Sequence, residues 1–371
     1  MKNASAPESQ PMWSTRKELE TVLAQAGLGE WSPRLAAAAR PAMILEPGPL
    51  EEGADAPIGV SRLGGMPDLP PDVPWPWRPA ISGRKFFADH AERPWPLTFA
   101  AQIDFGEIHS AGGLEGFPSS GRLLFFCDPI LEPWGWSSDD ESCASVMFFT
   151  GPADRLARRA LPVELSNPAA GLLRPKYRPR DVIFRPRRMI PRLCLLPPPF
   201  NSCELLTLDG LPPPGWRLIY PKRWEGKIAE AYHQFWQDLE KEHPNACGYH
   251  QVGGIAFPET APVEAECIKY GDDDYSNNPP EEEKAFRERR EKDGAPVDWP
   301  DYEEWSQAHS AFLDRERASY LERAGNWQLV LQLAWDDEIG PWGEGHAYVC
   351  IRKADLAECR FDRCWAMWQC S

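Results

Sequence analysis

Apolar positions along this chain follow two periods, and one long-range pattern of them is written twice. Ser61-Arg62-Leu63-Gly64-Gly65-Met66-Pro67 is echoed by His250-Gln251-Val252-Gly253-Gly254-Ile255-Ala256-Phe257-Pro258. Downstream of each lies an apolar segment carrying a glutamine and then an aspartate: Gln102 and Asp104 in the first, Gln332 and Asp336 in the second. Each copy then closes on a glycine and another apolar run, Gly121 into Leu123-Leu124-Phe125-Phe126 and Gly345 into Ala347-Tyr348-Val349-Cys350-Ile351. Short apolar runs bounded by glycine read as buried strands. Two copies of one β-rich unit are therefore expected.

The helical period is confined to a few places. Thr15 with Glu18 three residues on reads as a capping box, with Leu19, Val22, Leu23 and Ala26 on one face and Gly27 as a stop. Ser32-Pro33 opens a second short helix through the alanines at 36–39, and Pro41–Leu45 reads as a first strand. The clearest amphipathic helix runs from Glu225 to Glu242, with Ile228, Tyr232, Phe235, Trp236 and Leu239 on one face. Val146–Phe149, Val182–Phe184 and Trp216–Tyr220 read as strand-like pieces, and residues from 279 and from 302 as two exposed polar helices.

The expected class is α+β: an internally duplicated unit with mainly antiparallel sheets, flanking helices and long Pro-rich connections. Residues 1–58 hold the N-terminal helices and first strand, and 59–150 the first repeat. Residues 151–247 form a Pro/Arg-rich connection with the amphipathic helix. The second repeat spans 248–371 and carries an acidic helical insert at 271–326.

Composition changes this picture in three ways. Forty prolines, clustered at 70–79, 197–199 and 212–214, mark extended connections, because proline neither donates to a ladder nor continues a helix. Ten cysteines include no Cys-x-x-Cys pair, which points to reduced thiols rather than disulfides or zinc. A polar N-terminus without an apolar stretch leads to the expectation of a cytoplasmic protein without a membrane partner. The net charge of −16 disfavours general nucleic-acid binding. That charge is segregated: residues 271–324 carry sixteen acids against eight bases, net −8, and residues 155–192 carry eleven bases against two acids, net +9.

Gly64-Gly65-x-Pro67 leading to Trp75-Pro76, then Pro96-Leu97-x-Phe99-x-Ala101-Gln102-Ile103, and Leu331-Gln332 through Trp342-Gly343-Glu344-Gly345 together resemble the YwqG-like family of bacterial proteins, a domain family of unknown function. The resemblance covers roughly residues 40–371. It implies a duplicated α+β protein with antiparallel sheets and brings no activity with it. The acidic insert is longer than the family's usual link.

Candidate chemistry gathers at the end of the second repeat. Gln332, Asp336, Trp342, Glu344 and His346, with His250 from the Gly-Gly motif, would place acids and imidazoles at one hairpin end, suited to a divalent cation or to acid–base work. The plainer reading is a solvated acidic turn. Gln102 and Gln332 either line a polar pocket with Asp104 or bond the adjacent Gly-Gly loops and fix the geometry of each repeat. Paired glycines without strand–loop–helix spacing are a weak phosphate motif. Arg174, Lys176, Arg178, Arg180, Arg185, Arg187 and Arg188 would make a positive stripe, facing either an acidic partner protein or this chain's own insert. No nucleophile elbow is present, and Cys247 near His250 is a remote nucleophile candidate. The expectation is a cytoplasmic binding protein with no cofactor and no catalysis of its own, whose partner is a protein with an acidic surface. The alternative is a metal-assisted or acid–base hydrolase centred on His250, Asp336, Glu344 and His346.

Overall fold

The computed structural model describes residues 13–50, 57–83, 87–133, 135, 138–166, 182–208, 227–242, 250–271, 322–334 and 345–370. Its strands are β1 (Arg40–Leu50), β2 (Arg62–Leu63), β3 (Asp68–Leu69), β4 (Trp77–Arg78), β5 (Trp95–Pro96), β6 (Thr98–Asp104), β7 (Arg122–Cys127), β8 (Ala144–Phe149), β9 (Ala157–Arg158), β10 (Arg187–Leu196), β11 (Gln251–Gly253), β12 (Trp327–Ala334), β13 (His346–Arg352) and β14 (Trp365–Gln369). Ten of them form one antiparallel sheet in the order β14-β13-β12-β11-β1-β10-β2-β6-β7-β8. The remaining four pair as two small ribbons, β3 with β9 and β4 with β5.

The centre of the sheet is the long pair β1 and β10, running from Arg40 opposite Leu196 to Leu50 opposite Arg187. Alternation along β1 decides what each face touches. Met43 and Leu45 enter one core while Ala42 and Ile44 enter another. The sheet curls around the first core until its ends approach. Phe148 on β8 and Phe361, just ahead of β14, have ring centroids 4.6 Å apart, and Phe105 packs against both. The result is a nearly barrel-like sheet, filled by side chains such as Leu63, Phe125, Val330 and Val349.

The convex side is covered in pieces. The capping box predicted at Thr15 is formed, and the helix Arg16–Leu23 buries Leu19 and Leu23. Gly27 follows at φ +87°, a left-handed value that glycine adopts without a Cβ penalty. The amphipathic helix is Lys227–Glu242, and it buries Tyr232, Phe235, Trp236 and Leu239 against the N-terminal helices and the outer face of β1 and β10. Each such side chain contributes about 1.5–3 kcal/mol by leaving water. A further helix, Val263–Gly271, lies over Leu329, Tyr348, Cys350 and Met367 in the second half of the sheet.

β10 arises in a stretch whose arginine and proline content suggests a connection. Leu45 donates its amide to His250 O, 2.9 Å away on the β11 side, so the Leu45–Pro191 pair exchanges no ladder hydrogen bond. The missing N–H of Pro191 therefore faces away from β1 and costs nothing there. Residues 182–184, which read as a strand, instead form a buried turn: Phe184 O accepts from Gly65 N at 2.8 Å. Among the described residues no helix is long and apolar enough to cross a membrane.

Candidate functional site

Each Gly-Gly motif makes a tight corner at the end of a two- or three-residue strand. Gly64 and Gly65 stand at φ +61° and +75°, Gly253 and Gly254 at +64° and +75°. Arg62 lies opposite Gln102, and Gln251 opposite Gln332. Gln102 Oε1 accepts from Asp68 N at 3.0 Å, and Gln332 Oε1 accepts from Phe257 N at 2.9 Å. Ser61 Oγ accepts from Asp104 N at 2.9 Å, and His250 Nδ1 accepts from Ala334 N at 3.3 Å. The Gly64 and Gly65 amides are also spent within the fold, on Ala100 O and Phe184 O. These corners bind backbone, and that is what they offer chemically.

What fills the corners differs. In the first, Asp68 is fully buried and is held by Arg158 Nε at 2.5 Å, Arg62 at 3.5 Å, Gly59 N at 2.8 Å and Gln102 Nε2 at 3.0 Å. Burial raises its carboxyl, but the Arg158, Gly59 and Gln102 hydrogen bonds outweigh it, and the acid sits below its ordinary range. In the second, Phe257 stands edge-on to Trp236 with centroids 5.0 Å apart. A separate buried network joins Arg78 Nε and His90 Nε2 to Asp128 Oδ2, each at 2.8 Å, while Asp128 Oδ1 accepts from Ile130 N and Leu131 N. Burial opposes its ionisation, yet His90 and Arg78 bring the Asp128 carboxyl down to about 2.

The other sequence candidates among the described residues take up bonds within the fold. Asp104 Oδ1 caps the helix Phe105–Ser110 through Gly106 N, and Asp104 Oδ2 meets Arg122 at 3.3 Å. His346 Nδ1 lies 2.5 Å from Glu259 Oε1 and stacks on Tyr348. His250 and His346 both adjoin Ala334 at the β12–β13 end of the sheet, since Ala334 donates its amide to His250 Nδ1 and stands opposite His346 in the ladder. Asp336, Trp342, Glu344, Cys247, Arg174, Lys176, Arg178 and Arg180 lie outside the described residues, as does nearly all of the acidic insert. Of the basic stripe, Arg185 is exposed, and Arg188 forks onto Glu107 at 2.5 and 3.1 Å. Arg192 farther along pairs with Glu46 at 2.7 Å, so part of this charge is neutralised within the sheet. All nine cysteines among the described residues are free thiols.

A sizeable opening lies elsewhere. A cavity of about 1220 Å³ sits between the N-terminal helices and the elements that cover the second half of the sheet. Its polar wall includes Arg16 of the helix Arg16–Leu23, Arg40 at the start of β1, Cys203 and Glu204 in the helix Cys203–Thr207, Glu264 in the first turn of Val263–Gly271, and Lys353 in the helix Lys353–Ala357, with Glu115 and Glu322 beside them. Leu114, Phe117, Trp327 and Leu356 supply apolar wall. Gly254 borders it, and its close approach to Ala42 (a Cβ would lie 2.5 Å from the Ala42 Cβ) keeps the corner tight beside the opening.

Glu204 pairs with Arg40 at 3.1 Å. Glu264 is 7% exposed, and its Oε2 has no hydrogen-bond partner. Burial first, and the neighbouring Glu204 charge second, push the Glu264 carboxyl up to about 8, so at neutral pH it holds its proton. Burial likewise lifts the Cys203 thiol well above its ordinary value, which removes it as a thiolate nucleophile. Among the described residues, no group of three or more His, Cys, Asp or Glu is placed to hold a metal ion.

A family model described as a domain of unknown function, DUF1963, matches residues 61–370. The chain belongs to the DUF1963 family. No curated protein matches it. The DUF1963 region takes in both Gly-Gly corners and the whole sheet except β1. The two N-terminal residues named in the cavity wall, Arg16 and Arg40, precede that region. Sequence reasoning missed Glu204 and Glu264 because an acid in the first turn of a helix is ordinary, and nothing local marks the two as neighbours.

Proposed function

We propose that this DUF1963 chain is a binding protein with no catalysis of its own, which takes a small polar molecule into the cavity between its N-terminal helices and the second half of the sheet. The observation that carries the reading is the unpartnered Glu264 Oε2 in the cavity wall. Buried polar groups of a folded protein are hydrogen-bonded almost without exception, so an orphan beside an open volume calls for a guest. The expectation of an acidic partner protein is kept for the arginines at 174–180, since Arg188 and Arg192 are engaged within the sheet.

We also infer that the chain is an internal duplicate of the YwqG-like kind. Matched left-handed glycine pairs, matched glutamine-to-amide bonds and matched Ser61 and His250 caps support two copies meeting at β1 and β10.

The test is native mass spectrometry of gently purified protein beside an Ala38→Trp variant, whose indole would intrude on the cavity from its wall. A small added mass on the parent that A38W lacks is the expected outcome. A parent without added mass, which no compound of a metabolite set stabilises to heat, would sink the reading. A second reading rests on two carboxyl groups in one cavity: Glu264, protonated, as acid beside Glu204 as base, in an acid–base hydrolase. Turnover of chromogenic esters or glycosides that Glu264→Gln abolishes would favour it over simple binding.

A further inference from the structure

The cavity wall specifies more than the presence of a guest, given that the binding reading above holds. Three cations line it, and each already has an acceptor. Arg16 donates to Ala39 O at 3.0 Å, Arg40 pairs with Glu204 at 3.1 Å, and Lys353 Nζ donates to Gly325 O at 2.5 Å. The group left with an unpartnered atom is the Glu264 carboxyl, whose Oε2 bonds nothing and which is buried to more than nine-tenths. Each cation is held by an acceptor of the fold while Glu264 Oε2 is held by nothing, so a ligand that presents donors gains the most there.

We propose that the cavity takes a ligand bearing a protonated amine, whose ammonium group donates to Glu264 while its apolar body lies against Phe117, Trp327, Leu114 and Leu356. A metal ion is the poorer occupant, because among the described residues no three His, Cys, Asp or Glu side chains gather to hold one, and Glu204 is tied to Arg40. A neutral alcohol would satisfy the orphan oxygen but draw nothing from the carboxylate's charge, and charge-assisted hydrogen bonds are roughly twice as strong as neutral ones.

Binding then moves a proton. Glu264 faces Glu204 and Cys203 from the helix Cys203–Thr207, Arg40 from β1 and Lys353 from Lys353–Ala357, with Cys267 on its own helix. In that setting the empty site holds its proton at neutral pH. An arriving ammonium keeps its own proton and drives the one on Glu264 into solvent. One proton leaves per ligand bound, and no other bond forms or breaks.

The experiment is isothermal titration calorimetry of the full chain with three matched probes: 2-phenylethylamine, 2-phenylethanol and 3-phenylpropanoate. Two buffers of different ionisation enthalpy are used at pH 6.5 and again at pH 9. The amine is expected to bind at least about tenfold more tightly than the other two. It should release close to one proton at pH 6.5 and little at pH 9. Glu264→Gln should lose about tenfold in amine affinity and all of the proton release. Its circular dichroism would show separately that it folds.

Preferential binding of the alcohol or the acid, sensitive to A38W, would overturn the amine assignment while leaving the cavity's binding role standing. An amine that binds with unchanged affinity in Glu264→Gln would overturn it as well. Failure of all three probes would overturn the amine assignment too, and the cavity's role would then be judged by the mass-spectrometric comparison alone.

Discussion

Two halves of one sheet bury acids in opposite ways. In the first half Asp68 and Asp128 are each met by an arginine and further donors, and both ionise more readily than a free carboxyl. In the second half Glu264 is buried beside another acid, with one oxygen unpartnered, and holds its proton up to about 8. The corner backbones are alike, down to the left-handed glycine pair, so the backbone does not cause the difference. What differs at the corners is the residue three past the second glycine. Asp68 there recruits Arg62 and Arg158 and closes the first corner with charge. Phe257 recruits Trp236 instead, docks the helix Lys227–Glu242, and lies a few residues before Glu264. The first acid is satisfied within the fold; the second stands in a cavity wall with one oxygen unbonded.

The largest effect that would sharpen this contrast is at the corners themselves. Asp68→Ala leaves the Arg62 guanidinium buried without its carboxylate, and a loss of about 3–5 kcal/mol is expected in urea unfolding. Phe257→Ala removes a partly buried ring and should cost about 2 kcal/mol. Equal losses at the two positions would break the comparison.

Next comes pH. The raised Glu264 carboxyl binds a proton that the unfolded chain has already released, so stability falls as pH rises from about 4.5 to about 8. Glu264→Gln should therefore be close to neutral at pH 4.5 and stabilise by a few kcal/mol at pH 8. Asp128 works the other way. Its depressed carboxyl contributes about 2 kcal/mol above its ordinary value of 3.8, and this is lost as pH falls through about 2. Thermal melts of the parent and E264Q across pH 3–9 check both signs. A Gln variant no more stable than its parent at pH 8 would contradict the account.

The smallest effect separates the glycines. Alanine at Gly64 or Gly253 meets the same backbone strain, about 1 kcal/mol. A Cβ at Gly64 would also lie 2.4 Å from Arg185 O, a backbone atom, whereas one at Gly253 would lie 2.8 Å from the Leu114 side chain, which can turn away. Gly64→Ala should be the costlier by about 1–2 kcal/mol.

Much of the frame could be read from residue order. The capping box at Thr15 and the apolar face through Tyr232 and Trp236 need only local spacing, and the structure has both. The repeated Gly-Gly and glutamine pattern pointed to paired corners because tight approach and amide satisfaction demand those residues and few others. β10 was hidden by Arg187, Arg188, Pro191 and Arg192, which look like a loop until Glu107, Glu46 and the register against β1 account for three of them. The cavity was hidden more deeply. Arg40, Glu204, Glu264 and Lys353 span most of the chain, and only the three-dimensional packing makes them neighbours.

The central place of β1 has a consequence for how the protein is made. This strand is made before both of its neighbours, one of which is complete only at Leu196 and the other only at Gly253. At typical synthesis speeds the delay is on the order of tens of seconds. During it the N-terminal helices can shield Ala42 and Ile44 on one face, while Met43 and Leu45 on the other have no core to enter. Long-range pairing of this kind is slow to form and prone to aggregation. In a nascent chain of this design the strand at the centre of the sheet is the one that waits longest, until Gly253 has been translated.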